Sequence, residues 1–374
     1  MLRALFWGSS ALIAYAHAGY PLLLWMLARA RPARPETPSA NAELPSVALI
    51  VAAYDEQDVI AAKIANALAL DYPRERLELI VASDGSSDGT AERARSAGAD
   101  VVLDLPRGGK VRAQDAAVRS AHAQVLAFSD ANSSWAPDAL RRLVAPFWDP
   151  RVGYVCGQVA FVNAEGTNQE GAYWRYEMAV RTLESRLGGV TAGNGAIYAV
   201  RPEAYLFVDP RMGHDLALPF NIVKRGRRAV YAPAARAQEK MVPSIEGEFR
   251  RKRRMMSHAW PIVVRGGMLS PRGYPPLYAL QIASHRLLRY ATPALHLAAL
   301  ASSAALRRRG APYTLALWAQ GALLLAAALG GRSRARPLRL ARYYVLVTAS
   351  LAAGLWDWIR SGTPAGWEKP EGTR

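Results

Sequence analysis

Cysteine is all but missing. Cys156 is the one thiol in 374 residues, which excludes an internal disulfide framework and any cysteine-based zinc site and fits a reducing compartment. Its role is that of a small buried hydrophobe. Histidine is scarce too, with six residues, and no second His/Asp pair at ligand spacing accompanies His214-Asp215, which argues against an HD-type phosphohydrolase. No G-x-G-x-x-G follows the first apolar run, which argues against a dinucleotide oxidoreductase, and no G-x-x-x-x-G-K-[ST] phosphate loop is present. There is no internal repeat. Acidic residues are few, Asp+Glu 30 against Lys+Arg 47, for a formal charge of +17. Such an excess suits nucleic acid, an anionic membrane surface or anionic substrates. No aromatic RNP-like motif or zinc spacing supports nucleic acid, and the arginines cluster beside apolar segments (Arg29, Arg31, Arg34; Arg307 to Arg309; Arg332 to Arg342), as membrane flanks do.

Apolar sequence is abundant and gathers at the two ends. Ala4 to Ala28 is nearly uninterrupted, and roughly 20 such residues span a bilayer core as a helix. Ala16-His17-Ala18 resembles a signal-peptide cleavage site, but the apolar run continues through Tyr20 to Leu27 and ends in arginines, which suits a retained anchor over residues 1–30. Arg3 precedes the span while Arg29, Arg31 and Arg34 follow it, which leaves the following domain in the cytosol. Residues 31–45, rich in Pro and Ala, read as a linker. Beyond residue 260, an interface segment is expected over 261–291, where Tyr278 to Tyr290 carries His285, Arg286 and Arg289 among apolar residues. Membrane helices are expected over 292–360, from apolar runs at 291–306, 314–329 and 343–359, followed by a tail over 361–374. With the catalytic domain inside, Arg307 to Arg309 fall outside, against the positive-inside preference. The expected location is an integral protein of a bacterial inner membrane, with its catalytic domain cytosolic.

Residues 46–260 alternate short apolar β-prone runs with helical patterns. Val47 to Ala52, Leu77 to Ala82, Val101 to Leu103 and Val125 to Phe128 predict strands. Helices are expected after the first, with Val59, Ile60, Ile64 and Leu68 on one face, after the second, and over Lys110 to His122. This alternation predicts right-handed βαβ units and a mostly parallel sheet. Further on, the pattern predicts a β-prone segment at 152–162, helices at 171–187, 216–223 and 246–258, and short strands at 197–200 and 229–232.

Chemistry is expected at the C-terminal ends of the strands, where open α/β sheets hold ligands. Val125 to Phe128 runs into Ser129-Asp130-Ala131-Asn132, and Asp130 with Asn132 offers the oxygen donors that Mg²⁺ or Mn²⁺ prefers; the same residues also form ordinary turns. Ser83 to Thr90, with two glycines, hydroxyls and carboxylates, suits close approach to a nucleotide and equally suits a helix cap. Lys110, after Arg107-Gly108-Gly109, can neutralise a phosphate or simply be solvated. Asp215, at the start of an apolar helix, is a candidate general base or an N-cap. The run Arg250 to Arg254 is a diphosphate clamp or a solvated, lipid-facing helix.

Taken as an ordered set over about Pro45 to Trp260, these stretches resemble the family 2 glycosyltransferases of the GT-A fold, in the membrane-embedded branch that includes chitin, hyaluronan and cellulose synthases. The resemblance implies an α/β fold, a Rossmann-like, mostly parallel GT-A sheet, with an N-terminal transmembrane helix and C-terminal interface and transmembrane helices. The family's Pro-x-Tyr-Asn-Glu appears as Ala52-Ala53-Tyr54-Asp55-Glu56, and Asp-Gly-Ser-x-Asp-Gly-Thr is complete at Asp84 to Thr90. By that likeness Tyr54, Glu56 and Asp84 contact the base and ribose, and Lys110 lies near the diphosphate. The Asp-x-Asp metal motif is Asp130-Ala131-Asn132, one charge short. Gly193-Asn194-Gly195-Ala196, with His214, matches the acceptor side, and Gly213-His214-Asp215 keeps only the Asp of the general-base motif. Gln-x-x-Arg-Trp becomes Arg250, Arg253 and Arg254, a donor-side set that has lost the tryptophan which would stack on an acceptor sugar. The implied activity is inverting transfer of a sugar from a nucleotide-diphosphate sugar, a UDP-sugar first, to a lipid-linked or polysaccharide acceptor, with Mg²⁺ or Mn²⁺. Single transfer is favoured over processive synthesis. Two other classes remain open: a transporter, which the flanking position of the charges disfavours with His17 and His296 as exceptions, and a non-catalytic sensor of nucleotides or polysaccharide.

Overall fold

The structure is a computed structural model and describes residues 1–31, 43–162, 171–240, 245–333 and 335–363. The expected linker (31–45) and tail (361–374) lie largely outside the described residues.

The sheet grows from its continuous apolar runs. Strands β1 (Val47–Ala53), β2 (Leu77–Asp84), β3 (Val101–Leu105) and β4 (Val125–Asp130) are joined by crossover helices and lie parallel. β1 is buried throughout, as a strand covered by helices on both faces must be. The remaining strands are β5 (Ser134–Trp135), β6 (Val152–Val162), β7 (Tyr198–Val200) and β8 (Arg228–Lys240), and the full order is β3-β2-β1-β4-β7-β6-β8-β5. The period-2 alternation of β1 divides the core. Ile50 faces a cluster with Phe128, Tyr154 and Tyr198, while Leu49 and Val51 face Ile64, Leu140 and Trp135. Each such side chain contributes about 1.5–3 kcal/mol on burial.

After β3 the chain returns to the other side of β1, which opens a crevice between the C-terminal ends of β1 and β4. Ala52 pairs with both Ala82 and Asp130, so the three strand ends are level and their loops converge. β8 extends beyond the expected Ala229 to Ala232. Its second half, APAARAQEK, has little β-propensity of its own and is held by parallel pairing with β6 across an irregularity at Gly157/Gln158.

Two helices among the described residues are long and apolar enough to cross a membrane, Leu2–Arg29 and Ala311–Leu329. They expose Trp7, Leu22 and Trp25, and Leu315, Trp318 and Leu325, surfaces that fit lipid. Thr292–Leu306, at 15 residues, is about 22 Å long, short of a bilayer core of about 30 Å. The third expected span has a different setting: Arg336–Ser361 packs along the basic helix Ile245–Val264, with Gly354 against the Arg253 carbonyl and Trp260 Nε1 donating to the Leu351 carbonyl at 3.2 Å. The two histidines of the apolar helices share a partner, for the Tyr344 hydroxyl lies 2.7 Å from His296 Nε2 and 3.2 Å from His17 Nε2.

The stretch expected to lie in the membrane interface is likewise turned inward. It folds as Pro276–Gln281, a π-helical Ile282–Leu287 and Leu288–Tyr290. His285 and Arg289 face Glu177 and Glu184 on the helix Gly171–Leu187. Buried carboxylates on that neighbour draw the positive face inward.

Candidate active site

The first wall of the crevice is built by the loops after β1 and β2. Asp55 takes a left-handed backbone (φ 48°), and its carboxylate accepts from the Ser87 N–H at 2.8 Å, which joins the two loops. Buried Asp84 accepts from the N–H groups of Gly108 (2.7 Å) and Gly109 (2.9 Å) and from Arg107 Nη1 (2.7 Å). It thereby shapes the turn that begins the Lys110–Ser120 helix. Gly85, at φ +64°, passes so close to this turn that a β-carbon would stand 2.7 Å from the Arg107 nitrogen. The Arg107 guanidinium covers the Tyr54 ring at 3.3 Å from its centroid, an arrangement that spacing in sequence did not disclose. Glu56 is buried at the same strand end, and its backbone N–H donates to the Thr90 hydroxyl oxygen at 2.8 Å.

The second wall brings Lys110, Asp130, Gly195 and Asp215 together. Lys110 Nζ is bonded to the Asp130 carboxylate, and Gly195 lies against both. Burial alone would lower the Lys110 ammonium, but the carboxylates of Asp130, Asp215 and Glu239 outweigh it and hold Lys110 above the ordinary lysine range. Asn194 secures the glycine loop, donating to the Gly157 carbonyl at 2.8 Å and accepting from the Ile197 N–H at 2.9 Å. The Gly193 N–H donates to the Asp215 carbonyl at 2.7 Å, which fixes this loop to the start of the helix His214–Lys224.

Other expected residues are placed apart. His214 turns into the core between the hydroxyls of Tyr198 (3.2 Å) and Tyr205 (3.4 Å), and burial, then the charge of Lys110, pushes its imidazole down to about 3. It is buried in the core, 4% exposed. Arg253 makes a two-pronged ion pair with Asp357 on the C-terminal helix, both contacts at 2.6 Å, and Arg250 is exposed. Arg254 is partly buried, and both Arg254 and Asp215 act electrostatically on half-buried His258. Two residues absent from the sequence reading also belong here. Lys63 is buried on the helix Ile60–Leu68, donates to the Ser133 carbonyl at 2.9 Å, and is lowered to about 7 by burial against the pull of Asp130 and Glu239. Glu239 enters from β8 and is felt by both lysines. A lysine at a core-facing helical position was the available signal for the first; nothing local marked the second.

The donor set bears on a metal. Among the described residues no three His, Cys, Asp or Glu side chains form a metal cage. One carboxylate and one amide at an open strand end, Asp130 and Asn132, fit a hard divalent ion that takes its remaining ligands from a substrate's phosphates and water. They do not fit a closed structural site.

Sheet order, level strand ends and this turn define a glycosyltransferase of the GT-A fold. The chain belongs to the family 2 glycosyltransferases: the model described as "Glycosyltransferase like family 2" matches residues 45–257. Among curated relatives, the poly-β-1,6-N-acetyl-D-glucosamine synthase of Staphylococcus aureus (strain MSSA476) is 27% identical over 205 residues, 52% of this chain and 49% of that one. An N-acetylglucosaminyltransferase of Rhizobium meliloti (strain 1021) is 28% identical over 227 residues, 54% of this chain and 53% of that one. The chain thus spans about half the length of these relatives. Among solved structures, the mannosyltransferase PcManGT of Pyrobaculum calidifontis, in complex with GDP-Man and Mn²⁺, superposes with a TM-score of 0.71 at 25% identity, covering 96% of this chain and 99% of that one.

Proposed function

We propose that this enzyme is a membrane-embedded inverting glycosyltransferase that moves a sugar from a nucleotide-diphosphate sugar, a UDP-sugar first, to a lipid-linked or glycan acceptor in single transfers. The observation that carries it is the convergence of Lys110, Asp130, Gly195 and Asp215 at the strand-end crevice. Tyr54, Glu56 and Asp84 form the nucleotide side. The Asp215 carboxylate takes the proton of the acceptor hydroxyl, the hydroxyl oxygen bonds to the anomeric carbon from the face opposite the diphosphate, and the C–O bond to phosphate breaks with its electron pair leaving on the diphosphate. Lys110 stabilises that developing charge. Mg²⁺ or Mn²⁺ held at Asp130 and Asn132 supplies further neutralisation of the diphosphate. The relatives' names favour N-acetylglucosamine as the sugar, and the poly-N-acetylglucosamine synthase favours processive synthesis as a second reading. The structural neighbour brings GDP-mannose into the test. The exposed apolar faces of Leu2–Arg29 and Ala311–Leu329 support membrane insertion, and the arginines that follow the first span favour a cytosolic catalytic domain.

The test is nucleotide release by the protein in lipid nanodiscs with UDP-N-acetylglucosamine, other UDP-sugars and GDP-mannose, with Mn²⁺, Mg²⁺ or EDTA. Release with one donor that EDTA stops, and that Asp130→Ala and Asp215→Asn each lower by about 10²-fold or more, supports the reading. Full turnover by folded Asp215→Asn overturns it.

A further inference from the structure

A second buried polar cluster lies beneath the glycine loop, outside the reacting groups. Glu177 and Glu184 are seven residues, two turns, apart on one face of the helix Gly171–Leu187. Glu184 is 1% exposed. Its Oε1 accepts from the Tyr20 hydroxyl at 2.6 Å and lies 2.7 Å from His285 Nδ1, and its Oε2 accepts from the Thr191 hydroxyl at 3.0 Å. Its backbone carbonyl accepts from the N–H groups of Gly188 and Gly189 and from Gln281 Nε2. His285 Nε2 lies 3.2 Å from Glu177, which also pairs with Arg289, and Arg286 Nε donates to the Thr191 hydroxyl at 2.9 Å.

Three parts of the chain therefore meet on one carboxylate: the N-terminal apolar helix through Tyr20, the Pro276–Tyr290 stretch through His285, and the loop leading to the site through Thr191. Two residues past Thr191 comes Gly193, bonded to Asp215, and two further comes Gly195, against Lys110 and Asp130. A buried charge is a poor source of net stability compared with apolar packing. What it does supply is directional: each oxygen accepts only from donors that arrive at defined positions.

Resting on the transfer reading above, we infer that Glu184 is a positioning residue. It fixes Thr191, and through it the register of Gly193 to Gly195 against Asp215 and the Lys110–Asp130 pair, and Tyr20 ties that register to the apolar helix. Displacing a reacting group by about 1 Å costs up to about 10²-fold in rate, so loss of this anchor falls on kcat. The base and ribose rest on the β1 and β2 loops of the far wall, and Lys110 and Asp130 stand on elements of their own, so nucleotide affinity changes much less than kcat.

The experiment compares full-length wild type, Glu184→Gln, Thr191→Val and Tyr20→Phe in nanodiscs. It reads kcat and donor KM, UDP and GDP affinity by calorimetry, the melting temperature, and amide exchange over residues 190–196. In Glu184→Gln and Thr191→Val, kcat is expected to fall about 10- to 100-fold with KM and nucleotide affinity within about twofold, and the 190–196 amides to lose protection. Tyr20→Phe is expected to give a smaller fall of the same kind. Wild-type kcat and loop protection in Thr191→Val and Glu184→Gln, or in Thr191→Val and Tyr20→Phe if Glu184→Gln does not fold, overturns the inference, as does a lower melting temperature with kcat unchanged. Amide exchange needs no turnover. If the wild type transfers no sugar, loop protection lost in the variants still supports the anchor while the transfer reading alone fails.

Discussion

Gly195 lies directly against Asp130. A β-carbon on Gly195 would stand 3.2 Å from Asp130 Oδ2 and 3.1 Å from Lys110 Nζ, so any side chain there displaces the pair by a few tenths of an ångström. Gly195→Ala is therefore expected to lower nucleotide release by about tenfold or more, with a melting temperature close to wild type because the side chains that move keep some access to solvent. Parallel turnover and melting curves check this.

Asn132 stands where the family's metal motif has a second Asp. If Asn132 is a ligand, Asn132→Asp adds a charged oxygen, and Mn²⁺ affinity, read by the loss of the free-ion electron paramagnetic resonance signal, is expected to rise several-fold or more, on the order of what one added carboxylate gives in oxygen-ligand sites. Unchanged affinity removes Asn132 from the ligand set.

Lys63 predicts a pH dependence with a defined sign. Burial lowers its ammonium to about 7 from the ordinary lysine value of 10.5, so between those values the unfolded chain binds the extra proton and stability rises with pH. Below about 7 both states are protonated and the cost of the buried cation is constant. The stability of wild type relative to Lys63→Met is expected to climb from pH 7 to 10 and to be flat from pH 6 down, each unit of the pKa gap being worth ~1.4 kcal/mol. Denaturant melts of both proteins across that range decide it; a pH-independent difference contradicts it.

The Arg253–Asp357 pair is partly solvent-exposed, 45% and 33% for the two side chains. Exposed pairs contribute about 0–1 kcal/mol. Asp357→Ala and Arg253→Ala are expected to cost little stability and to leave donor KM alike. A rise in donor KM confined to Arg253→Ala restores Arg253 to the donor side as a diphosphate clamp.

Much of the fold was legible because its signals are local. Runs such as VALIVAA and VLAFSD are long, apolar and β-branched enough to demand burial on both faces, and their polar ends have to emerge at the sheet's rim. The Asp84-to-Thr90 turn and the apolar ends were visible for the same reason: composition within a few residues decides them. β8 was only half legible, because AARAQEK is held as a strand by β6 and not by its own propensity.

Charge was the part that sequence could not place. Arg253 and Arg254 are adjacent, yet about 100° of helical rotation sends one to Asp357 and leaves the other acting on His258, one turn further along the helix. His214 and Asp215 are adjacent too, and the same rotation buries the imidazole while the carboxylate borders the crevice. His285 and Arg289 read as an interface face until Glu177 and Glu184, about a hundred residues earlier, draw them inward. The sequence by itself determined the sheet, the strand-end site and the apolar helices, since each follows from periodicity and burial over short windows. Which ionisable groups share one dielectric environment was decided only by the tertiary structure, because Coulombic partners are chosen by distance in space and not by separation along the chain.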